Sequence, residues 1–437
     1  MLPPDYVPKS SLGIVPPRSR FLGSLMTTDL WLEERRETDG AEGLWRIHDG
    51  LYNFESFVQE HPGGSEWLGL TKGTDISEAF ESHHISQLPE QLLSKYFVRK
   101  AKTKRNIPFT FEENGFYKTL KKEIRKTLKN VPKDDYNTSD MYSDALFAGL
   151  ILFSILSVRY WSYTSAVIAG VILGLLTGAG HNYIHRKDSF RMLYFQFSMF
   201  QVRDWRISHV LSHHLYPNTV IDLEVILPEP FLQYHPIKKL FGGYYSVIIA
   251  PAVFLFSFHA GFFNRLQTYK TLKPIGFTGL SLPLLMYIFG TETILNTFIM
   301  WNVILLVGSF QFTLIGFNAA HHHPDVFHDG DTPRSLDEYD WGLNQLDAVM
   351  DRKDITGSDF LVLTCFGDHS LHHLFPTLDH SILKHLYPTM KEVMNKFDVN
   401  LRMVTQWDAI VGGFQQLLKV KPNPLPPNLK SKKYLLL

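Results

Sequence analysis

His181-Asn182-Tyr183-Ile184-His185 closes an apolar run, residues 162–183. Two similar clusters follow, His209-Val210-Leu211-Ser212-His213-His214 and His369-Ser370-Leu371-His372-His373. Each lies near a hydrophobic stretch. On a helix, residues i, i+3 and i+4 share a face. His181 and His185 therefore point together, as do His369, His372 and His373. His209 and His213 align, whereas His214 falls one step further round. It joins them only where the helix frays or its imidazole reaches across. A lone histidine in a helix is usually a packed or surface residue, but three clusters at these spacings predict a polynuclear metal site at a membrane face. Imidazole suits iron, copper and zinc, and oxygen chemistry requires a redox metal.

Working outward, the average hydropathy is near zero, which hides strong segregation. Residues 1–140 are polar and residues 141–317 hold the apolar runs. Spans are expected at 143–158 and 162–183, joined by Arg159-Tyr160-Trp161, whose aromatic side chains suit an interface. Three more apolar runs cover 241–263, 275–290 and 293–317. If all clusters share one face, the chain crosses an even number of times between His214 and His369. Arg265, Lys270 and Lys273 favour the cytosol. The expectation is that 241–263 lies at the interface and that 275–290 and 293–317 cross, with Gly290-Thr291-Glu292 as the far turn. The alternative is that 241–263 spans and one of the others does not.

The 437 residues carry 43 basic and 43 acidic side chains, so the balance indicates neither nucleic acid nor an acidic partner. One cysteine, Cys365, excludes an internal disulfide and thiolate metal clusters, and fits a reducing, cytosol-facing setting. The N-terminus lacks the apolar core of a secretory signal. Residues 1–21 are proline-rich and read as an irregular tail, 22–100 as a compact soluble domain, and 101–140 as a basic linker. Residues 141–405 form the membrane domain and 406–437 a loose tail. In the linker, the cations between Lys118 and Lys133 read either as a solvated helix face or as a contact with anionic lipid.

The soluble domain holds His61-Pro62-Gly63-Gly64, and His83 and His84 follow. A glycine pair lets the backbone turn tightly against a flat ring, and a second histidine reaches the opposite face. Two axial imidazoles give an electron-carrying haem with no open position. Trp45, Asp49-Gly50, Phe54-x-x-Phe57-Val58, His61-Pro62-Gly63-Gly64, Asp75 and Phe80 resemble cytochrome b5. That resemblance implies His61 as one axial ligand of a haem b and His84 as the other, with His83 as the alternative.

The three clusters, with Leu374-Phe375-Pro376 trailing the third and Asp340-Trp341-Gly342-Leu343-Asn344-Gln345-Leu346 preceding it, resemble the cytochrome b5-fused membrane fatty acid desaturases. The resemblance covers about 141–390. It implies an N-terminal α+β cytochrome b5-like domain followed by an all-α four-span membrane desaturase bundle. In that bundle His181, His185, His209, His213, His214, His369, His372 and His373 hold two non-haem iron ions on the cytosolic face. Asn318-Ala319-Ala320-His321-His322 resembles a further ligand segment. Helical spacing from Asn318 favours His322, and the Ala-Ala-His match favours His321; Asn318 is placed close by. His323 and His328 read as surface residues, and His235, His259, His380 and His385 as structural ones.

By the same resemblance the partners are an acyl lipid, O2, an NADH-cytochrome b5 reductase and the bilayer, with no nucleic acid. The location is the endoplasmic reticulum membrane, multi-pass, with haem domain and histidine boxes facing the cytosol. The activity implied is fatty-acyl desaturation. Hydroxylation at the same site, or a membrane-anchored electron carrier with an inactive desaturase domain, are alternatives. Front-end desaturases carry glutamine where this chain has His369, and the lead-in Thr364-Cys365-Phe366-Gly367-Asp368 also departs from the family. Asp204, Asp222, Asp325 and Asp368 are candidates to orient metal-bound imidazoles.

Overall fold

The computed structural model describes residues 8–22, 26–239, 241–267, 274–290, 293–335 and 339–427. Lys270, Lys273, Thr291, Glu292 and the last ten residues lie outside these, and with them part of the expected loop, far turn and tail.

The N-terminal domain is built on the strand pair read from the sequence. Strand β1 (Trp45–Ile47) pairs antiparallel with β2 (Gly50–Tyr52), Trp45 opposite Tyr52. Strand β3 (Phe97–Lys100) adds to the other edge of β2. Around the sheet lie helices α1 (Thr28–Thr38), α2 (Ser65–Thr71) and α3 (Ser77–His83). Trp45, Ile47, Phe54, Leu68, Ile76 and Phe80 form its core. Each such large side chain contributes about 1.5–3 kcal/mol by leaving water.

Helix α4 (Phe116–Thr127) carries the basic run. Its Phe116, Tyr117, Leu120 and Ile124 are buried. Neither reading of the charges covers all of them. Lys118 and Lys121 turn back onto Glu81 of the N-terminal domain, at 2.8 and 3.2 Å, and Arg125 pairs with Glu90. Part of the basic run is therefore an inter-domain clasp.

Among the described residues, four helices are long and apolar enough to cross a membrane, covering Asp134–Arg159, Tyr163–Ile184, Gly243–Leu266 and Ile294–Phe317. We label the helices proper α5 (Thr138–Arg159), α6 (Tyr163–Ile184), α7 (Gly243–Gln267) and, after the ten-residue α8 (Ser281–Gly290), α9 (Ile294–Phe317). Glycines let α6 and α9 approach closely: a Cβ on Gly170 would stand 2.6 Å from Val307 Cβ, a small-residue contact suited to membrane helices.

The run expected at the interface is thus a helix of spanning length. Its two ends nonetheless both meet parts that adjoin the histidine clusters or the N-terminal domain. Gly243 faces Leu418, and Val253 and Phe254 pack in the cluster that holds Leu417 and Phe317. At the other end Asn264 contacts Asp204, which accepts a hydrogen bond from Thr28 of α1. The short helix α8 ends with Gly290 against Ile155 and Val158, at the opposite end of α5.

The described parts of both tails pack against the rest of the chain. Ser11 donates its backbone N–H to Asp329, and Leu12 and Ile14 are buried in the core with Phe109 and Phe327. At the other end α10 (Gln406–Leu418) opens with a reciprocal cap between Thr405 and Asp408. Beyond it, Lys419 and Asn423 bond to Asp331. These residues are held because their apolar or polar groups find buried partners, which proline content alone does not reveal. His323 and His328 are buried, not surface residues; α10 closes over His323, with Gly412 directly against its ring.

Candidate metal centre

Nine histidines converge in two groups. One holds His181, His185, His209, His214 and His372, and the other His213, His321, His369 and His373. Within each group the ligand atoms lie within 4.8 Å of one another, and every residue is buried. His181 Nε2 stands 2.7 Å from His209 Nε2, 2.9 Å from His185 Nε2 and 3.2 Å from His372 Nε2. In the second group His321 Nε2 is 2.9 Å from His369 Nε2 and 3.0 Å from His373 Nε2. Imidazole nitrogens bound about 2.0–2.1 Å from one ion at right angles stand about 3 Å apart. The donor set fits a pair of metal ions: in each group several buried imidazole nitrogens converge at the spacing that ligands of one ion would have.

The first pair sits on the last turn of α6, at the i, i+4 spacing read from the sequence. The second cluster adopts a different geometry. Residues Arg206–His213 form a π-helical turn, and the His214 N–H donates to His209 O at 2.8 Å. This i→i+5 pattern widens the helix and swings His214 back beside His209, with Nε2 atoms 3.0 Å apart. The extra residue that an α-helix would turn away is thereby included, while His213 serves the other group. The third box opens helix His369–Leu374. Its unusual lead-in is a reversed turn in which Phe366 and Asp368 both take positive φ, +56° and +50°. The Phe366 ring rests 4.9 Å from that of His181.

Of the two candidates after Asn318, His321 joins the site and His322 does not. The helix ends at Phe317 with Asn318 as its cap, so helical spacing no longer applies beyond it. His322 instead stacks on Tyr234, ring centroids 3.5 Å apart. Asn318 is also held away from the metal groups: it donates to Leu314 O at 2.8 Å and its side-chain oxygen lies against Gly413.

Outer partners fix the imidazoles. Asp222 accepts from His213 Nδ1 at 2.9 Å and Glu224 from His209 Nδ1 at 2.6 Å. Gln345 Oε1 accepts from His373 Nδ1 at 2.9 Å, and Ala348 O from His321 Nδ1 at 3.0 Å. Each bond leaves Nε2 as the free donor atom. Burial alone would lower the His213 imidazole, but Glu224 and Asp222 overcome it and carry it up to about 9. Of the four aspartates expected to orient imidazoles, Asp222 does so. Asp204 bonds to Thr28, Asp325 lies beside His323, and Asp368 accepts from Tyr387. Sequence reasoning missed Glu224 and Gln345. The latter lies in the Asp340–Leu346 segment, where Asp340 caps the helix that aims it.

His235, His259, His380 and His385 lie outside both groups. His259 bonds to Asn302 across α7 and α9, His380 to Asn182 and His385 to Asp135.

In the N-terminal domain a cavity of about 550 Å³ opens between His61 and His84. Their ring centroids lie 6.2 Å apart, close to the roughly 6 Å expected for two imidazoles on opposite sides of one metal at about 2 Å each. His61 Nδ1 bonds to Gly64 O and His84 Nδ1 to Phe80 O, both at 3.0 Å, which leaves each Nε2 for iron. Gly64 takes φ +112°, a conformation open chiefly to glycine. Burial pushes His84 down to about 4, so it is the neutral form a ligand needs. His83 lines the same cavity but bonds to Ala79 O and tilts toward Trp67.

Residues 159–405, more than half the chain, match the family model "Fatty acid desaturase". The chain belongs to the fatty acid desaturase family. Residues 32–102 match "Cytochrome b5-like Heme/Steroid binding domain". The chain is 42% identical over 414 residues to the "Cytochrome b5-related protein" of Drosophila melanogaster, covering 92% of this chain and 94% of that one. Among desaturases, it is 24% identical to the "Probable Delta(5) fatty acid desaturase C" of Dictyostelium discoideum, over 85% of this chain and 90% of that one. It is 26% identical to the "Acyl-lipid (8-3)-desaturase B" of the same organism, over 87% and 92%. No solved structure matches. This family member is accordingly a desaturase-type oxidoreductase of the membrane, with a cytochrome b5-like domain at its N-terminal side.

Proposed function

We propose that the chain is a fatty-acyl desaturase that uses O2 at a histidine-held pair of iron ions and draws electrons through its own haem domain. The observation that carries this reading is the convergence of nine imidazoles into a group of five and a group of four. The ligand set is His181, His185, His209, His214 and His372 for one ion and His213, His321, His369 and His373 for the other. His61 and His84 hold a haem b. When bound, the two irons supply the reduction of dioxygen and the removal of hydrogen from an unactivated C–H bond. The protein's part is to fix the donors. Asp222, Glu224, Gln345 and the Ala348 carbonyl hold the Nδ1 protons, so that Nε2 faces the ion in four of the nine. Phe366 shields His181 from water.

We take residues 22–100 as the haem domain and 141–405 as the membrane part. In the proposed topology α5, α6 and α9 cross, together with the segment 274–290. Its seven 3₁₀ residues and ten α-helical residues reach roughly 29 Å at about 2.0 and 1.5 Å per residue, near the thickness of the hydrocarbon. Helix α7 then lies along the membrane surface on the side of the histidines, where both of its ends have partners. That side faces the cytosol of the endoplasmic reticulum, where an NADH-cytochrome b5 reductase would meet the haem domain. An electron carrier without desaturase chemistry is disfavoured by the completeness of both histidine groups.

The deciding experiment is lipid analysis of a host expressing the chain, beside metal content of the purified protein. Two non-haem irons per haem with a new unsaturated acyl lipid support the reading. A new hydroxylated lipid moves it to hydroxylation, and haem alone with unchanged lipids overturns it.

A further inference from the structure

The cavity between His61 and His84 is walled by both domains. Beside Phe54, Ile76 and other apolar side chains of the N-terminal domain, its lining includes His185, Arg186, Lys187, Leu211 and Thr377. The two domains are tied together at this wall: Thr377 donates to His83 O at 3.3 Å, and Gly64 lies against the Asp188 carboxylate. His185, in the same wall, belongs to the five-histidine group.

Charge in the lining is one-sided. Arg186 and Lys187 are its basic side chains beside the histidines, and no Asp or Glu side chain lines the cavity among the described residues. Arg186 already pairs with Asp379. No ion pair engages Lys187 among the described residues. His83 Nε2, closed off from solvent in the same lining, has no hydrogen-bond partner. A haem b is an apolar disc with two carboxylates on one edge. Apolar walls accept the disc, and the carboxylates require the cationic side.

We propose that the haem site is shared: the carboxylate edge of the haem is received by Lys187, with Arg186 beside it, and so faces the membrane domain at His185. This rests on the haem reading given above. It makes Lys187 a positioning residue that sets which edge of the haem stands beside the five-histidine group.

The test uses the full-length protein loaded either with haem b or with haem dimethyl ester, whose carboxylates are masked. Wild type, Lys187→Glu and Lys95→Glu are compared; the last makes the same charge change on an exposed residue outside the cavity. Transfer of haem to excess apomyoglobin reports retention, and redox titration reports the midpoint potential. Lys187→Glu should release haem b about tenfold faster and lower its potential, as expected when an ionised hydrogen-bond partner is removed, with Lys95→Glu near wild type. Wild type should retain haem b better than the ester, and Lys187→Glu should reverse that order. Equal release from both variants, or ester and Lys187→Glu effects that simply multiply, overturns the shared site and leaves the haem reading intact. A wild-type protein without a bis-histidine haem spectrum overturns both.

Discussion

His209 and His214, five residues apart, bring their Nε2 atoms to 3.0 Å of each other. His213, between them, points into the other metal group. One π-helical turn thus feeds both histidine groups. His214→Ala should therefore empty the five-histidine group selectively, while His213→Ala should affect the group of four. In each case we expect non-haem iron to fall toward one per haem, and product formation to drop on the order of 100-fold or more, at least as much as loss of an outer partner costs. Iron analysis of the two variants checks this. Unchanged iron content in His214→Ala would show that the π turn is not a ligand device.

The residues behind the imidazoles provide a graded version. Gln345→Leu removes the acceptor for His373 Nδ1, and Asp222→Asn weakens the one for His213. Loss of such a partner costs about 10–100-fold in metal affinity. Competition with a chelator should rank both variants below wild type by about that factor. Asp325→Asn, beside His323 and outside both groups, should be indistinguishable from wild type.

Some ligands that lie within one turn of each other are legible in the sequence, because spacing alone places His181 with His185 and His369 with His373; His372, expected on the same face, instead joins the five-histidine group. What decides the others is tertiary. His321 and His322 are adjacent, and only the end of α9 at Phe317 separates them. His214 depends on a π turn that local propensity does not announce. Glu224 and Gln345 are ordinary polar residues until folding brings them to His209 and His373. The small sheet of the N-terminal domain follows from its apolar pairs around Asp49-Gly50, whereas the clasp between Glu81 and α4 joins residues too distant in sequence for any pattern to link.

His84 faces His61 across the cavity and His83 does not, so the two neighbours should separate cleanly. His84→Ala should abolish the bis-histidine absorbance, and His83→Phe should retain it. Acid adds a second readout. Burial pushes His83 down to about 3 and His84 to about 4, against about 6.5 for a free imidazole. The unfolded chain binds more protons than the folded one between these values. The corresponding stability is therefore full above about pH 6.5 and declines as pH falls toward 4. Haem absorbance should hold above about pH 6.5 and be lost progressively as pH falls toward 4, and His83→Phe should make that loss less steep. Spectrophotometric titration measures both.

Glu81 is where the two halves are fastened. It is buried, lies 2.8 Å from Lys118 and 3.2 Å from Lys121, and its backbone oxygen accepts from Lys121 and Tyr117. Burial alone would raise its carboxyl, but His48, Lys121 and Lys118 together hold it down to about 2. A carboxylate held below its unfolded value contributes stability above about pH 4.3, and that contribution fades as pH falls toward 2. Removing one partner of a buried pair strands the other charge, at about 3–5 kcal/mol. Glu81→Gln keeps the shape and leaves buried Lys121 with only Glu90, 3.8 Å away, as a counter-charge. We expect the haem domain to loosen from the membrane domain while each stays folded. Limited proteolysis should cut faster in the 101–115 linker, and haem absorbance should remain. The double variant Glu81→Gln with Lys121→Met removes the stranded charge and should recover much of the protection. Equal cutting of Glu81→Gln and wild type would mean that the clasp does not hold the domains together.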